Sequence, residues 1–116
     1  MKLCQNSKRK ERQEKVYRLE YLPLAEADIL EIDSYLYEHK PAAADKFADS
    51  IVKLAEALTQ HPFMSPVYED DPHFCNMTLP YKYRLFYHVD EDDKVVRVYR
   101  ILHGARNVKG IMELED

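Results

Sequence analysis

Two neighbouring runs of alternating residues constrain the fold of this chain more than any other feature. In residues 81–89, tyrosine, leucine and valine occupy every second position, a period typical of a half-buried β-strand. Residues 95–102 are rich in β-branched and aromatic side chains, and the acidic residues 90–93 separate the two runs. The sequence therefore predicts a β-hairpin that exposes Arg84 and ends beside His103.

Three elements are predicted before this hairpin. Residues 17–22 alternate and stop at Pro23, which predicts a first strand. Apolar residues at helical spacing predict helices over 24–38 and 41–60, and their short connection favours an antiparallel helical hairpin. The carboxylates of the first helix, Asp28 among them, are expected to lie mostly on its solvated side.

A short strand over residues 74–79 follows a loop that contains three prolines, so the predicted order is β-α-α-β-β-β. The economical arrangement is an α+β fold of two layers. In it, the antiparallel helical hairpin packs on one face of a four-stranded, mainly antiparallel sheet. The opposite face is then expected to be open and functional.

One domain accounts for the 116 residues. We expect it to span residues 16–107, between a basic, flexible tail over 1–15 and a short tail over 108–116. A short helix or an arm that contacts a partner is the alternative for residues 1–15, since that segment is highly charged.

Charge and composition exclude several classes of protein. Residues 1–15 carry a net charge of +4 and the remainder −8, and an acidic domain is a poor non-specific binder of nucleic acid. With two glycines, the chain cannot form a glycine-rich phosphate loop. Two cysteines without a CxxC motif, and no long apolar run, predict a cytoplasmic protein without a membrane partner.

The candidate functional residues are Arg84, His103 and Arg106. An arginine guanidinium forks onto phosphate oxygens, and histidine exchanges protons near neutral pH. Grouped around one point, these side chains would suit the binding or the acid–base cleavage of an RNA phosphodiester. The alternative is that Arg84 and Arg100 are surface charges paired with acidic loops.

No metal or cofactor site is predicted. The four carboxylates at residues 90–93 lack the glycine of a calcium loop, which favours a solvated turn. The histidines at positions 39, 61, 73 and 88 lack the spacing of a zinc motif and are interpreted as surface or turn residues. Cys75 is expected to be a small buried residue, and the tyrosines of the strands to pack in the core, with base stacking as the alternative.

Several short motifs, in a fixed order, resemble the RelE/ParE superfamily, the toxins of bacterial type II toxin–antitoxin (plasmid stabilisation) modules. They are YRLEYLP at 17–23, AA at 42–43, YRLFY at 83–87 and RILHGAR at 100–106. The resemblance covers about residues 16–107. It implies the fold described above, no small-molecule ligand, and a cognate antitoxin whose extended segment lies in apolar grooves around the helical hairpin and the sheet.

Within this superfamily the resemblance implies two activities. RelE-like members cut mRNA on the ribosome, and Arg84 and Arg106 match two of their arginines, while His103 matches a histidine of other ribosome-dependent relatives. Residues 75–77 hold no lysine where RelE uses lysines, and Met112 falls near its tyrosine. ParE-like members instead inhibit DNA gyrase by binding it. The missing lysines and the acidic domain favour a ParE-like growth inhibitor over the RelE-like endoribonuclease, so enzymatic activity stays an open alternative.

Overall fold

The computed structural model of this chain describes residues 17–104. The predictions for residues 1–15 and 108–116 and for Arg106 lie outside the described residues. The elements are β1 (Arg18–Tyr21), α1 (Pro23–His39), α2 (Pro41–Gln60), β2 (Cys75–Leu79), β3 (Tyr83–Asp90) and β4 (Val95–His103). This order confirms the predicted α+β arrangement. No helix in this part of the chain is long and apolar enough to cross a membrane.

Prolines mark the beginning of both helices. Pro23 and Pro41 each lie in the first turn, where a missing backbone N–H removes no helical hydrogen bond. At the end of α1, the backbone N–H of Lys40 donates to the carbonyl oxygen of Leu36 over 2.6 Å. Since Lys40 is the single residue between the helices, α1 and α2 form the helical hairpin that the sequence predicts.

The strands form one mixed sheet in the order β1-β4-β3-β2. β2, β3 and β4 are successive antiparallel neighbours, whereas β1 pairs with β4 in parallel. A parallel pair requires a long crossover, and the chain between β1 and β4 supplies it, since it contains both helices. Because the other two strand pairs are antiparallel, the sheet is mainly antiparallel, as predicted.

The turn between β2 and β3 has an unusual backbone. Tyr81 and Lys82 have φ angles of 65° and 68°, in the left-handed region that non-glycine residues rarely adopt. The carbonyl oxygen of Lys82 accepts a hydrogen bond from the backbone N–H of Gly104 over 2.7 Å. This bond ties the turn to the end of β4.

The helices cover one face of the sheet and form the main core with it. Ala43 and Ala44 on α2 are buried and allow close packing. The ring of Phe47 is 1% exposed and meets Tyr83 edge to face at 5.5 Å. Other buried side chains of this cluster are Ile32, Leu36, Leu58, Cys75, Leu79, Leu85, Tyr87, Val96, Val98 and Ile101. The prediction that Cys75 is buried is confirmed.

The second face of the sheet is not open along its whole length. Residues 61–74, between α2 and β2, place the rings of Tyr68 and Phe74 against Phe86 and Leu102. The backbone N–H of Tyr68 donates to the carbonyl oxygen of Phe74 over 2.7 Å, which fixes the shape of this covering loop. The expectation of an open face is therefore wrong over this part of the sheet, since apolar residues of the loop bury it.

Candidate functional site

Arg84 lies in β3 on the face covered by the loop, and its side chain is half-buried. Its Nη2 donates to Oδ1 of Asn76 over 3.1 Å. The guanidinium carbon lies 5.5 Å from the ring centres of both Tyr68 and Phe86, within the range of a cation–π contact. The guanidinium is thus held by one amide and two aromatic rings.

His103 faces the helices. Its ring meets that of Tyr83 edge to face at 5.3 Å, and it lines a cavity of about 390 Å³ together with Ile32 and Tyr35 of α1. The structure therefore places Arg84 and His103 on opposite faces of the sheet and does not bring them together. Arg106, the third predicted site residue, lies outside the described residues.

A bulge in β4 explains this separation. Phe86 is opposite Arg100 and Tyr87 is opposite Val98, so β4 contains one extra residue at Tyr99. An extra residue reverses the alternation of the side chains that follow it. Without the bulge, His103 would share a face with Arg84. Because the residues around Tyr99 include no glycine, nothing local in the sequence predicts this bulge.

Asp28 of α1 binds β4 at the bulge. Its carboxylate accepts two hydrogen bonds from Arg100, over 2.8 and 2.9 Å, and a third from the backbone N–H of Ile101 over 3.0 Å. The side chains of Asp28 and Arg100 are only 9% and 14% exposed. Such a two-pronged pair, with an additional amide donor, compensates the charge of a buried carboxylate.

This ion pair corrects two predictions. Asp28 is buried rather than solvated, and Arg100 binds a helix rather than an acidic loop. The signal was present in the sequence, because Asp28 lies three residues after Ala25 and four before Ile32, both of which belong to the buried stripe of α1.

Arg97 connects three strands on the other side of the sheet. Its Nη1 lies 3.0 Å from Oδ2 of Asp90, and its Nε lies 3.3 Å from Oε1 of Glu20. Two hydrogen bonds lower the pKa of Asp90. The larger cause is the bond from the backbone N–H of Asp93, and the next is the bond from Arg97. Asp90 therefore belongs to this network at the end of β3, whereas residues 91–94 form the exposed turn.

The rings of His73 and His88 form a second feature that the sequence did not reveal. They stack with their centres 3.9 Å apart and their planes 7° apart. Tyr99 approaches His73 edge to face at 6.4 Å. Burial, and then the neighbouring His73, lower the pKa of His88. The stack connects the covering loop to β3.

A groove of about 820 Å³ runs between β1 and α2. Its apolar walls include Leu19, Tyr21 and Val52, and Val52 is 66% exposed. The backbone N–H groups of Arg18 and Leu22 donate towards β4, so those of Leu19 and Tyr21 face away from it. Among the described strands β1 lies at the edge of the sheet, so this groove combines apolar walls with a strand edge that no other strand of residues 17–104 covers.

Within residues 17–104, no three histidine, cysteine, aspartate or glutamate side chains are grouped in a way that could hold a metal ion.

Known structures share this architecture. A toxin–antitoxin structure described as the chromosomal ParDE system from P. aeruginosa matches with a TM-score of 0.64 and 20% identity, over 78% of this chain and 98% of that one. RelBE2 from Mycobacterium tuberculosis matches with a TM-score of 0.52 and 19% identity, over 75% and 96%. The isolated RelE toxin from E. coli matches with a TM-score of 0.54 and 20% identity, over 84% and 98%. At these identities the likeness establishes the fold.

Among curated proteins, no match to the sequence was found. Residues 19–108 match the family model described as the ParE toxin of the type II toxin–antitoxin system parDE. That match covers well over half of the sequence. The chain therefore belongs to the ParE toxin family of type II toxin–antitoxin systems, within the RelE/ParE superfamily.

Proposed function

We propose that this toxin inhibits growth by binding its target, with DNA gyrase as the family precedent, rather than by cutting RNA. The observation that carries the proposal is the separation of Arg84 and His103 onto opposite faces of the sheet. Acid–base cleavage of a phosphodiester needs an anion-binding group and a proton-transferring group around the same phosphorus. The described pair does not meet that requirement.

The surroundings of Arg84 support the same proposal. To bind a phosphate with both of its terminal nitrogens, its guanidinium would have to leave Asn76 and give up its contacts with two aromatic rings. No lysine stands at residues 75–77, where the nuclease branch would supply further positive charge. A restrained arginine beside aromatic rings suits a protein-binding surface, where arginine and tyrosine are enriched.

We further propose that a cognate antitoxin neutralises the toxin by laying a segment in the groove between β1 and α2. The apolar walls would receive alternate side chains of that segment, and the free edge of β1 would offer backbone hydrogen bonds. Similar solved structures are described as toxin–antitoxin complexes, which is consistent with a partner of this kind. Both interactions would take place in the cytoplasm.

One pair of assays separates the two activities. The purified toxin is added to gyrase supercoiling reactions and to translation reactions in which ribosome-bound mRNA is examined for cleavage. We expect inhibition of supercoiling and intact mRNA. Ribosome-dependent cleavage that Arg84→Ala and His103→Ala abolish would overturn the proposal in favour of the RelE-like endoribonuclease. Arg18→Ala is the matched control, since Arg18 is exposed and contacts only Glu20 among the described ion pairs.

The antitoxin site is tested on α2. Val52→Glu places a charge on the apolar wall of the groove, and we expect the Kd for the antitoxin, measured by calorimetry, to rise at least about tenfold. Lys53→Glu changes the charge on the neighbouring position, which does not line the groove, and should leave the Kd within a factor of about two. Equal affinities of wild type and Val52→Glu would exclude the groove as the antitoxin site.

A further inference from the structure

The stack of His73 and His88 joins the C-terminal end of the covering loop to the sheet. His73 is exposed and belongs to the loop, whereas His88 is half-buried in β3. The neighbouring loop residue Phe74 packs on the sheet, and its ring centre lies 4.9 Å from that of Tyr99. The contact between the imidazoles is therefore part of the interface between the loop and the sheet, which would be lost if the loop separated from the sheet.

The charges around the stack leave little to balance two added protons. On β3, Asp90 is already bound to Arg97, and Arg97 of β4 is itself a cation opposite His88. In the loop, the side chain of Asp71 accepts a hydrogen bond from the backbone N–H of His73. Tyr99 of β4 contributes a neutral ring. Protonation of both imidazoles would thus place two like charges 3.9 Å apart beside a third.

We propose that the stacked histidines are a pH-sensitive latch, which holds residues 61–74 over the sheet while the rings are neutral and releases them when both rings carry a proton. Opening would uncover Phe86 and Leu102, together with the aromatic surroundings of Arg84. The latch is independent of the target proposed above, because it concerns only the contact between the loop and the sheet.

The direction of the pH dependence follows from linkage. Burial and His73 lower the pKa of His88 in the closed form, so the open form binds protons more readily. Closure is therefore fully stabilised above the ordinary histidine pKa of about 6.5 and weakens as the pH falls towards the lowered value.

Hydrogen exchange of backbone amides measures the opening. The amides of Tyr68 and Phe74 are hydrogen-bonded inside the loop, and that of Leu22 is bonded to β4 and serves as the internal reference. After correction for intrinsic exchange rates, we expect the opening constants of the loop amides to be larger at about pH 5 than at about pH 7.5, with no matching rise at Leu22. Loop amides whose opening constants do not change with pH would overturn the latch.

The decisive variant replaces the imidazole of His88 with an aromatic ring that cannot take up a proton. His88→Phe keeps an aromatic partner for His73 and should keep the loop closed at both pH values. His39→Phe is the matched control, because His39 is also a stacked histidine, on Tyr35 of α1, and should retain the pH dependence. Retention of the pH dependence in His88→Phe would exclude the proposed device. If His88→Phe does not fold, His73→Phe makes the same test from the exposed side of the stack.

Discussion

The two faces of the sheet are covered in different ways. Two long helices cover one face with a large apolar cluster, into which Asp28 brings a buried carboxylate paired with Arg100. On the other face, residues 61–74 bury a few apolar side chains and leave Arg84 and stacked imidazoles at the margin. Within residues 17–104, the first face holds the larger group of buried apolar side chains, and the second also holds polar groups in place near solvent. Alternation along a strand reveals that a face is buried but does not reveal what buries it.

Removal of Phe47 should have the largest effect and tests the helix-covered face. Phe47→Ala deletes a ring that is 1% exposed in the main cluster, and we expect a loss of about 4 kcal/mol in the free energy of unfolding. Urea denaturation followed by circular dichroism measures it.

Phe74→Ala is the counterpart on the face covered by the loop. Its ring is 2% exposed, but a loop can collapse around the space more easily than two helices can, so we expect about 2 kcal/mol. Equal losses in the two variants would remove the distinction between the faces.

The loss of stability in Asp28→Ala should be nearly as large as that in Phe47→Ala. The substitution removes the carboxylate that accepts hydrogen bonds from Arg100 and from the backbone N–H of Ile101, and we expect a loss of about 3 kcal/mol. Asp90→Ala breaks an ion pair nearer the surface, whose carboxylate side chain is 25% exposed, and should destabilise the fold much less than Asp28→Ala does. If thermal denaturation shows the two variants to be equally stable, the pair with Arg100 is no stronger than one near the surface.

The last prediction concerns alkaline pH. Burial raises the pKa of Tyr87 to about 12 from 10.0, and its hydroxyl donates to the carbonyl oxygen of Pro62 over 2.9 Å. Above pH 10 the unfolded chain releases this proton first, so stability falls as the pH rises, by about 1.4 kcal/mol at about pH 11. The difference in urea midpoint between about pH 9 and pH 11 should be smaller in Tyr87→Phe. A difference as large as that of the wild type would show that other groups cause the loss.

Much of the fold follows from local patterns in the sequence. Pro23 and Pro41 mark the helix starts, the alternation in residues 81–89 identifies β3, and the single residue between the helices makes them antiparallel. Each of these features depends on residues close together in the chain. That is why the order and type of the elements could be predicted.

The site depends on contacts between distant residues, and these could not be predicted. The orientation of His103 is set by a bulge whose bonding partner, Asp28, lies far away in the chain. The cover over Phe86 comes from Tyr68, in a loop whose prolines and carboxylates give no sign that it is partly buried. Arg84, by contrast, lies on the face opposite the helices, as its position in the alternating run implies.

The extra residue at Tyr99 also limits what can be transferred from one relative to another. Alignments equate residues by their order along the chain, and one insertion inside a strand is easily absorbed by a gap in the following loop. Such an alignment would equate His103 with a residue of a bulge-free relative that points to the opposite side of its sheet. Before any role is assigned to His103 by sequence alone, the bulge has to be placed, and in this chain Asp28 marks it, because its carboxylate accepts the backbone N–H of Ile101.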